Sequence, residues 1–292
     1  MYNEEVDFLE EVIMRALGTS LDIKTLQFIS GGLVNQAVYT DTSKGKLFIK
    51  FNENRPAKMF DAEKQGLATI RENVPDLHVP KVIHTDKVSN RYVLVMEYLQ
   101  EQYPNKQFWE KLGYGVAAMH HVTAPKAGLE YDNFNGPLAQ KNTPSTNWGN
   151  FFFEHRLRAQ FGLAFYNQII PKSYLKKLEQ LQIAFERLYT KAEFSLLHGD
   201  FWRGNILTGK NQQPCIFDPA VYFGHREVDL ATAKLLGGFQ DTFFKAYQEK
   251  YPLQHGAEER MEIYSLYPLM IQVNLYGTSY LNRIDSILKK YI

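Results

Sequence analysis

The run His198-Gly199-Asp200-Phe201-Trp202-Arg203-Gly204-Asn205 carries the residue types that transfer of a phosphoryl group requires. At average residue usage, the four fixed letters of H-G-D-x-x-x-x-N are expected only ~0.002 times by chance in a chain of this length, so the match is informative. In this chemistry a protein contributes positioning and charge neutralisation more than covalent steps. Asp200 is placed to meet an attacking hydroxyl as general base. Asn205, on the same loop, can offer an amide oxygen to Mg2+. His198 is read as ordering the loop through hydrogen bonds.

Two short apolar runs follow, Ile206-Leu207 and Cys215-Ile216-Phe217, joined by GKNQQP. They read as a hairpin that returns Asp218 to the same place, where a carboxylate can ligate the hard cation bridging nucleotide phosphates. Alone, an aspartate before Pro219 is an ordinary turn residue; downstream of the loop it reads as a second Mg2+ ligand. The N-terminal half supplies the remaining parts. Ser30-Gly31-Gly32-Leu33-Val34-Asn35 lies between two strand-like runs, and Gly31, Gly32 and Asn35 would let backbone N–H groups approach the phosphates. In KLFIKF, alternation puts Leu47, Ile49 and Phe51 on one face and Phe48 and Lys50 on the other, so Lys50 leaves the core face for the nucleotide. Glu63, on the next helix, can pair with Lys50 and hold it. Each part is weak alone; the order of loop, Lys, Glu, Asp, Asn, Asp is strong.

These residues need elements to hold them. Val6, Leu9, Ile13 and Leu17 recur at helical spacing, and TLQFIS, AVYT and KLFIKF read as an antiparallel meander. Pro56 starts a helix that Val74-Pro75 ends, and RYVLVMEYL forms a strand over 91–99. The polar stretch QEQYPNKQ then marks a change, after which stripes such as Phe108, Leu112, Val116, Met119 and Leu178, Leu181, Phe185, Leu188 are helical. The fold class expected is α+β and bilobal: a nucleotide-binding lobe over 1–95, a hinge over 96–101, and a mainly helical lobe over 102–292. A loop rich in Pro, Asn and Gly spans about residues 125–147, longer than ordinary connections, and so is expected to serve a site or a partner.

Composition narrows the partners. Lys and Arg number 33 against 32 Asp and Glu, which leaves no field to attract nucleic acid or anionic lipid. The single cysteine, Cys215, excludes an internal disulfide and reads as a small buried hydrophobe. The acidic N-terminus does not read as a secretory signal, and no apolar run is long enough to span a membrane, so a cytoplasmic location is expected. Walker A, G-x-S-x-G and H-E-x-x-H sequences are all absent from the chain. His120-His121 lacks metal-site spacing.

The assembled pattern resembles the aminoglycoside phosphotransferase and choline kinase superfamily, of protein-kinase-like fold. Within it, FDPAVYFGHREVDLATAKLLGGF is similar to the signature of fructosamine (ketosamine) kinases. Further likeness at SGGLVNQAVY, LFIKFN, VLVMEYL, NWGNFFFEHRLRAQ and YPLMIQVNLYGTSYLNRIDSILKKY covers nearly the whole chain. The resemblance implies transfer of the ATP γ-phosphate to the 3-hydroxyl of a ketosamine, on a free amine or a protein lysine. Such phosphorylation destabilises the adduct, a deglycation role. It also implies that backbone groups of Met96, Glu97 and Tyr98 hydrogen-bond adenine. Trp148, Trp202, Arg203, Tyr222, His225, Arg226 and Glu227 are candidates for the acceptor pocket. The family loop commonly reads HGDLWSGN, so Phe201 and Arg203 depart from it, and Arg203 is the residue expected to make this member differ.

Two other readings stand beside this one. The same chemistry could act on an aminoglycoside or choline. Against it, residues 150–194 hold four acids and seven basic residues, a poor match to a polycation. A nucleotide-binding pseudokinase that serves as an interaction module would be expected to lack the base, a Mg2+ ligand or the lysine, and all are present.

Overall fold

A computed structural model of the chain describes residues 2–19, 23–29, 35–53, 56, 58–189 and 193–292. Helix α1 (Tyr2–Leu17) begins with Glu4 and Glu5 and ends with Arg15, charges that suit its dipole. Strands β1 (Ile23–Ile29), β2 (Gln36–Thr42) and β3 (Gly45–Glu53) form the expected meander, followed by α2 (Lys58–Asn73), β4 (Val82–Val88) and β5 (Arg91–Glu97). The sheet order is β1-β2-β3-β5-β4, every pair antiparallel. Its far face, with Val38, Leu47, Ile49, Phe51, Val93 and Val95, packs on Phe8, Leu9, Val12 and Ile13 of α1. Arg91 fastens the two, reaching Glu5 at 2.7 Å and lying over the Phe8 ring. The opposite face of β3 is left for Phe48 and Lys50.

Strand β4 was not expected from sequence. VIHTDKV is an edge strand with mostly half-buried positions, and only its pairing with β5 reveals it. The strand expected over 91–99 ends at Glu97.

The helical part holds α3 (Lys106–His121), β6 (Thr123–Ala124), β7 (Asn133–Asn135), β8 (Leu138–Gln140), α4 (Trp148–Phe152), α5 (Ala159–Tyr166), α6 (Ser173–Leu188) and β9 (Phe194–Leu197). After these come β10 (Ile206–Thr208), β11 (Pro214–Ile216), β12 (Tyr222–Gly224), α7 (Glu227–Leu236), α8 (Asp241–Lys250), α9 (Ala257–Tyr264), α10 (Leu266–Tyr276) and α11 (Leu281–Tyr291). Asn105 caps α3, its side chain accepting from Phe108 N at 3.2 Å. Between α4 and α5 the chain makes a π-helical turn over Phe153–Arg158. The expected hairpin after Asn205 is present as β10 and β11.

The two parts share apolar contacts. Phe60, Leu67 and Ile70 of α2 belong to the same buried cluster as Leu112, Val116 and Ile216. Gly66 is what lets α2 come close, since a Cβ there would lie 3.3 Å from side-chain carbons of Pro219 and Val221. The backbone at His78 also bonds to β11, through His78 N to Pro214 O and Ile216 N to His78 O. The helix carrying Glu63 therefore rests directly on the segment that follows Asp218. Among the described residues, no helix is long and apolar enough to cross a membrane.

Candidate active site

A cleft of about 1070 Å³ lies between the sheet and the helical part, and Lys50, Glu63, Asp200, Asn205 and Asp218 all line it. Strand β3 delivers Lys50, whose Nζ is 2.8 Å from Glu63 Oε1 and 2.9 Å from Asp218 Oδ1. Lys50 and Glu63 are buried, while the Asp218 side chain is 47% exposed toward the cleft. Burial opposes the charge on Lys50, but Asp218 and Glu63 outweigh it and raise its pKa, so it is a permanent cation. Burial pushes the Glu63 carboxyl upward against the pull of Lys50, and the charge on Asp218 adds to the rise.

The loop carrying Asp200 leaves β9 through Gly199, whose φ is +81° and where a Cβ would collide with Ala220 O. Its backbone is clamped from α7. Asp229, itself buried, accepts from His198 N at 2.7 Å and from Gly199 N at 3.0 Å. His198 accepts from Asp200 N through Nδ1 at 3.3 Å and donates from Nε2 to Phe217 O at 3.1 Å. Burial pushes its pKa down, so the ring is a neutral spacer between loop and hairpin. Asn205 Nδ2 donates to Asp200 O at 2.9 Å and to Asp200 Oδ2 at 2.8 Å. Burial, then the charge on Asp218, pushes the Asp200 carboxyl up to about 7, against hydrogen bonds from Asn205 and Trp202. Asp218 has φ of 59°, a left-handed conformation uncommon outside glycine, which turns its carboxylate back toward Lys50.

At the other end of the cleft, Met96, Glu97, Tyr98 and Leu99 form one wall. Glu97 N donates to Lys81 O at 3.0 Å and Tyr98 N to Lys46 O at 3.3 Å, so both amides are already engaged. The Glu97 carboxylate accepts from His78 and from Lys81 N, and the hydrogen bond from His78 is the main cause that holds it below the usual range. Asn35 lines the cleft and accepts from Asn52 Nδ2 at 2.8 Å. Gly31 and Gly32 lie outside the described residues.

The acceptor candidates divide. Trp202 lines the cleft and is 39% exposed. Five others are buried side chains with partners in the core, and none lines the cleft. Trp148 donates to Tyr264 OH and stacks on Phe151 and Phe152. The Tyr222 ring is covered by the Arg156 guanidinium at 3.9 Å. His225 sits among Trp148, Tyr189 and Tyr264, and burial pushes its pKa down to about 3. Arg226 donates to Tyr247 OH and to the carbonyls of Tyr251 and Pro252. Glu227 takes both oxygens to Arg260, at 2.7 and 2.8 Å. Arg203 donates to Ile206 O, reaches toward Glu101 at 3.6 Å and lies against Gly238, so it faces the linker.

The cleft is also lined by Phe134 on the β7–β8 hairpin, with Leu236, Gln272, Leu275, Tyr276 and Tyr280. The hairpin grows out of the long 125–147 connection, whose length was the only hint of it. It is pinned to the segments around Asp200 and Asp218 by buried amides: Asn135 Nδ2 to Gly199 O at 3.1 Å, Asn133 Nδ2 to Val221 O at 2.8 Å, and Gln140 Nε2 to Ala220 O at 3.0 Å. Arg156, in the π-helical turn, steadies it by donating to Asn142 Oδ1 at 2.7 Å. Asp229, although part of the family signature, had no role legible in sequence.

A cation paired to a helix carboxylate under an antiparallel sheet, facing a clamped loop with Asp and Asn, defines a kinase of protein-kinase-like fold. The aminoglycoside phosphotransferase APH(4)-Ia shares that fold, with a TM-score of 0.66 at 13% identity over 98% of this chain and 99% of that one. A model of the fructosamine kinase family matches residues 6–292, and the chain belongs to that family. It is 35% identical, over 90% of its length and 94% of the relative's, to a protein of Enterococcus faecium named "Probable ketoamine kinase". It is 32% identical to the protein-ribulosamine 3-kinase of Arabidopsis thaliana, covering 94% of this chain and 85% of that one. A crystal structure from Haemophilus somnus named "Putative fructosamine-3-kinase" superposes with a TM-score of 0.88 at 25% identity, over 98% of this chain and 97% of that one.

Proposed function

We propose that this protein transfers the γ-phosphate of ATP to the 3-hydroxyl of a ketosamine, with Asp200 as base. The observation that carries this reading is the placement of Asp200, Asn205 and Asp218 in one cleft with Lys50, beside an acceptor wall without other carboxylates. The acceptor oxygen attacks the γ-phosphorus, its proton passes to Asp200, and the bond to the leaving ADP oxygen breaks. Lys50, held by Glu63, meets the α- and β-phosphates. Residues 96–101 connect the lobes, and Leu99 N–H, which has no partner among the described residues, is the free donor for adenine beside Glu97 O.

The donor set suits Mg2+, which is held by one or two protein oxygens together with phosphates and water. Asn205 Oδ1 and Asp218 supply such oxygens, and no group of three His, Cys, Asp or Glu suited to caging a metal occurs among the described residues. Bound there, Mg2+ would neutralise phosphate charge. Names of relatives such as protein-ribulosamine 3-kinase and the mouse ketosamine-3-kinase support the acceptor class. The apolar acceptor wall argues against a polycationic antibiotic. Incubation with Mg-ATP and ribulose-, erythrulose- and fructose-lysine tests the reading. Sugar-dependent ADP release and a product heavier by one phosphate are expected, and no ADP with any of the three would sink it.

A further inference from the structure

Most amide side chains near the acceptor are engaged with the protein itself. Asn133 donates to Val221 O and accepts from Gln140 and Asn142, and Asn135 donates to Gly199 O. Gln272 differs. It lines the cleft half-buried, and its side-chain amide has no hydrogen-bond partner among the described residues. It stands on α10 in a stripe with Pro268, Ile271, Leu275 and Tyr276, which recur at three- and four-residue steps and all face the cleft. The carboxylates lining the cleft belong to Glu63, Asp200 and Asp218 at the transfer centre and to Glu97 and Glu101 at the linker, so none lies on this stripe.

A neutral amide within an apolar wall offers two donors and one acceptor oxygen, the complement of an uncharged hydroxyl. We propose that Gln272 is a specificity-determining residue that hydrogen-bonds a hydroxyl of the acceptor sugar other than the one phosphorylated. The inference rests on the ketosamine reading and goes beyond it by naming the side chain that recognises the sugar. A site built around such a bond discriminates against an acceptor lacking the hydroxyl, because the amide then loses its partner among apolar neighbours.

The test compares the unmodified protein with Gln272→Met, of similar length and shape, and with Gln272→Ala, using ribulose-lysine and its 4-deoxy and 5-deoxy analogues. Both variants are expected to lose roughly tenfold in kcat/KM for ribulose-lysine. The KM for ATP and the melting temperature stay unchanged. With one of the two deoxy analogues, the variants and the unmodified protein converge. Unchanged kcat/KM for ribulose-lysine in both variants overturns the inference, as does an equal loss on the parent sugar and on both analogues. Absence of any ketosamine turnover by the unmodified protein overturns the functional reading itself, and is recognised before a variant is made.

Discussion

Lys50 Nζ lies 2.9 Å from Asp218 Oδ1, joining the strand that would meet nucleotide phosphates to the turn that would hold their cation. The same ammonium is 2.8 Å from Glu63, so one buried cation balances two carboxylates. Lys50→Met leaves Glu63 buried without its partner. Loss of at least ~100-fold in kcat/KM and destabilisation of about 2 kcal/mol are expected, the second softened because Glu63 can take up a proton. Glu63→Gln keeps a hydrogen-bonding oxygen and should be milder in both. Steady-state kinetics with urea unfolding measures the two effects.

Asp200 must be ionised to accept a proton, and its carboxyl is pushed up to about 7. The acidic limb of kcat/KM for the acceptor should therefore rise with pH up to about 7 and level off above it. A plateau already reached at about pH 5 would contradict the burial and Asp218 repulsion described here.

The same carboxyl carries a stability signature. A group raised in the folded state binds its proton more tightly there than in the unfolded chain. Its contribution is present below the unfolded value and is lost as pH rises through the folded one. Asp200→Asn should thus raise the melting temperature at pH 8 by a few degrees and by less at pH 6, while turnover is lost and ATP binding kept. Equal activity in the variant would reject Asp200 as base.

Asp229 does not line the cleft, yet it holds the amides of His198 and Gly199 and accepts from His120 Nε2. Asp229→Ala leaves two buried N–H groups unpaired, and a loss of about 2–4 kcal/mol in stability is expected. Asp229→Asn keeps one acceptor and should fall between. Calorimetry together with kcat separates a displaced loop from a lost chemical group.

Arg203 makes a backbone hydrogen bond and a long, half-exposed ion pair with Glu101, the latter of little energetic weight. Arg203→Ser should change kcat/KM by less than about tenfold and leave the ranking of ribulose-, erythrulose- and fructose-lysine intact. A reversal of that ranking would place the guanidinium at the acceptor after all.

Much of the part of the cleft around Lys50, Glu63, Asp200 and Asp218 was legible in the chain because its signals are local. Alternation in KLFIKF separates Lys50 from Leu47, Ile49 and Phe51 by the two-residue period of a strand, and the structure puts the latter three against α1. The spacing from Asp200 to Asn205 is a property of one loop, and the hairpin to Asp218 is a property of the next few residues. The family was legible as well, from a segment running through Asp229. The wall of the cleft formed by Phe134, Leu236, Leu275, Tyr276 and Tyr280 was decided only by tertiary structure. Trp148 and Tyr222 look as suited to a sugar face as Tyr276 or Tyr280, but burial depends on which helices pack over each ring, and the first two lie beneath Tyr264 and Arg156. The β7–β8 hairpin reaches the cleft through bonds to segments 64 or more residues away in sequence, as from Asn135 to Gly199, and α10 carries Gln272 there by packing against α5. No local periodicity records such contacts, because they are set by the packing of the whole core.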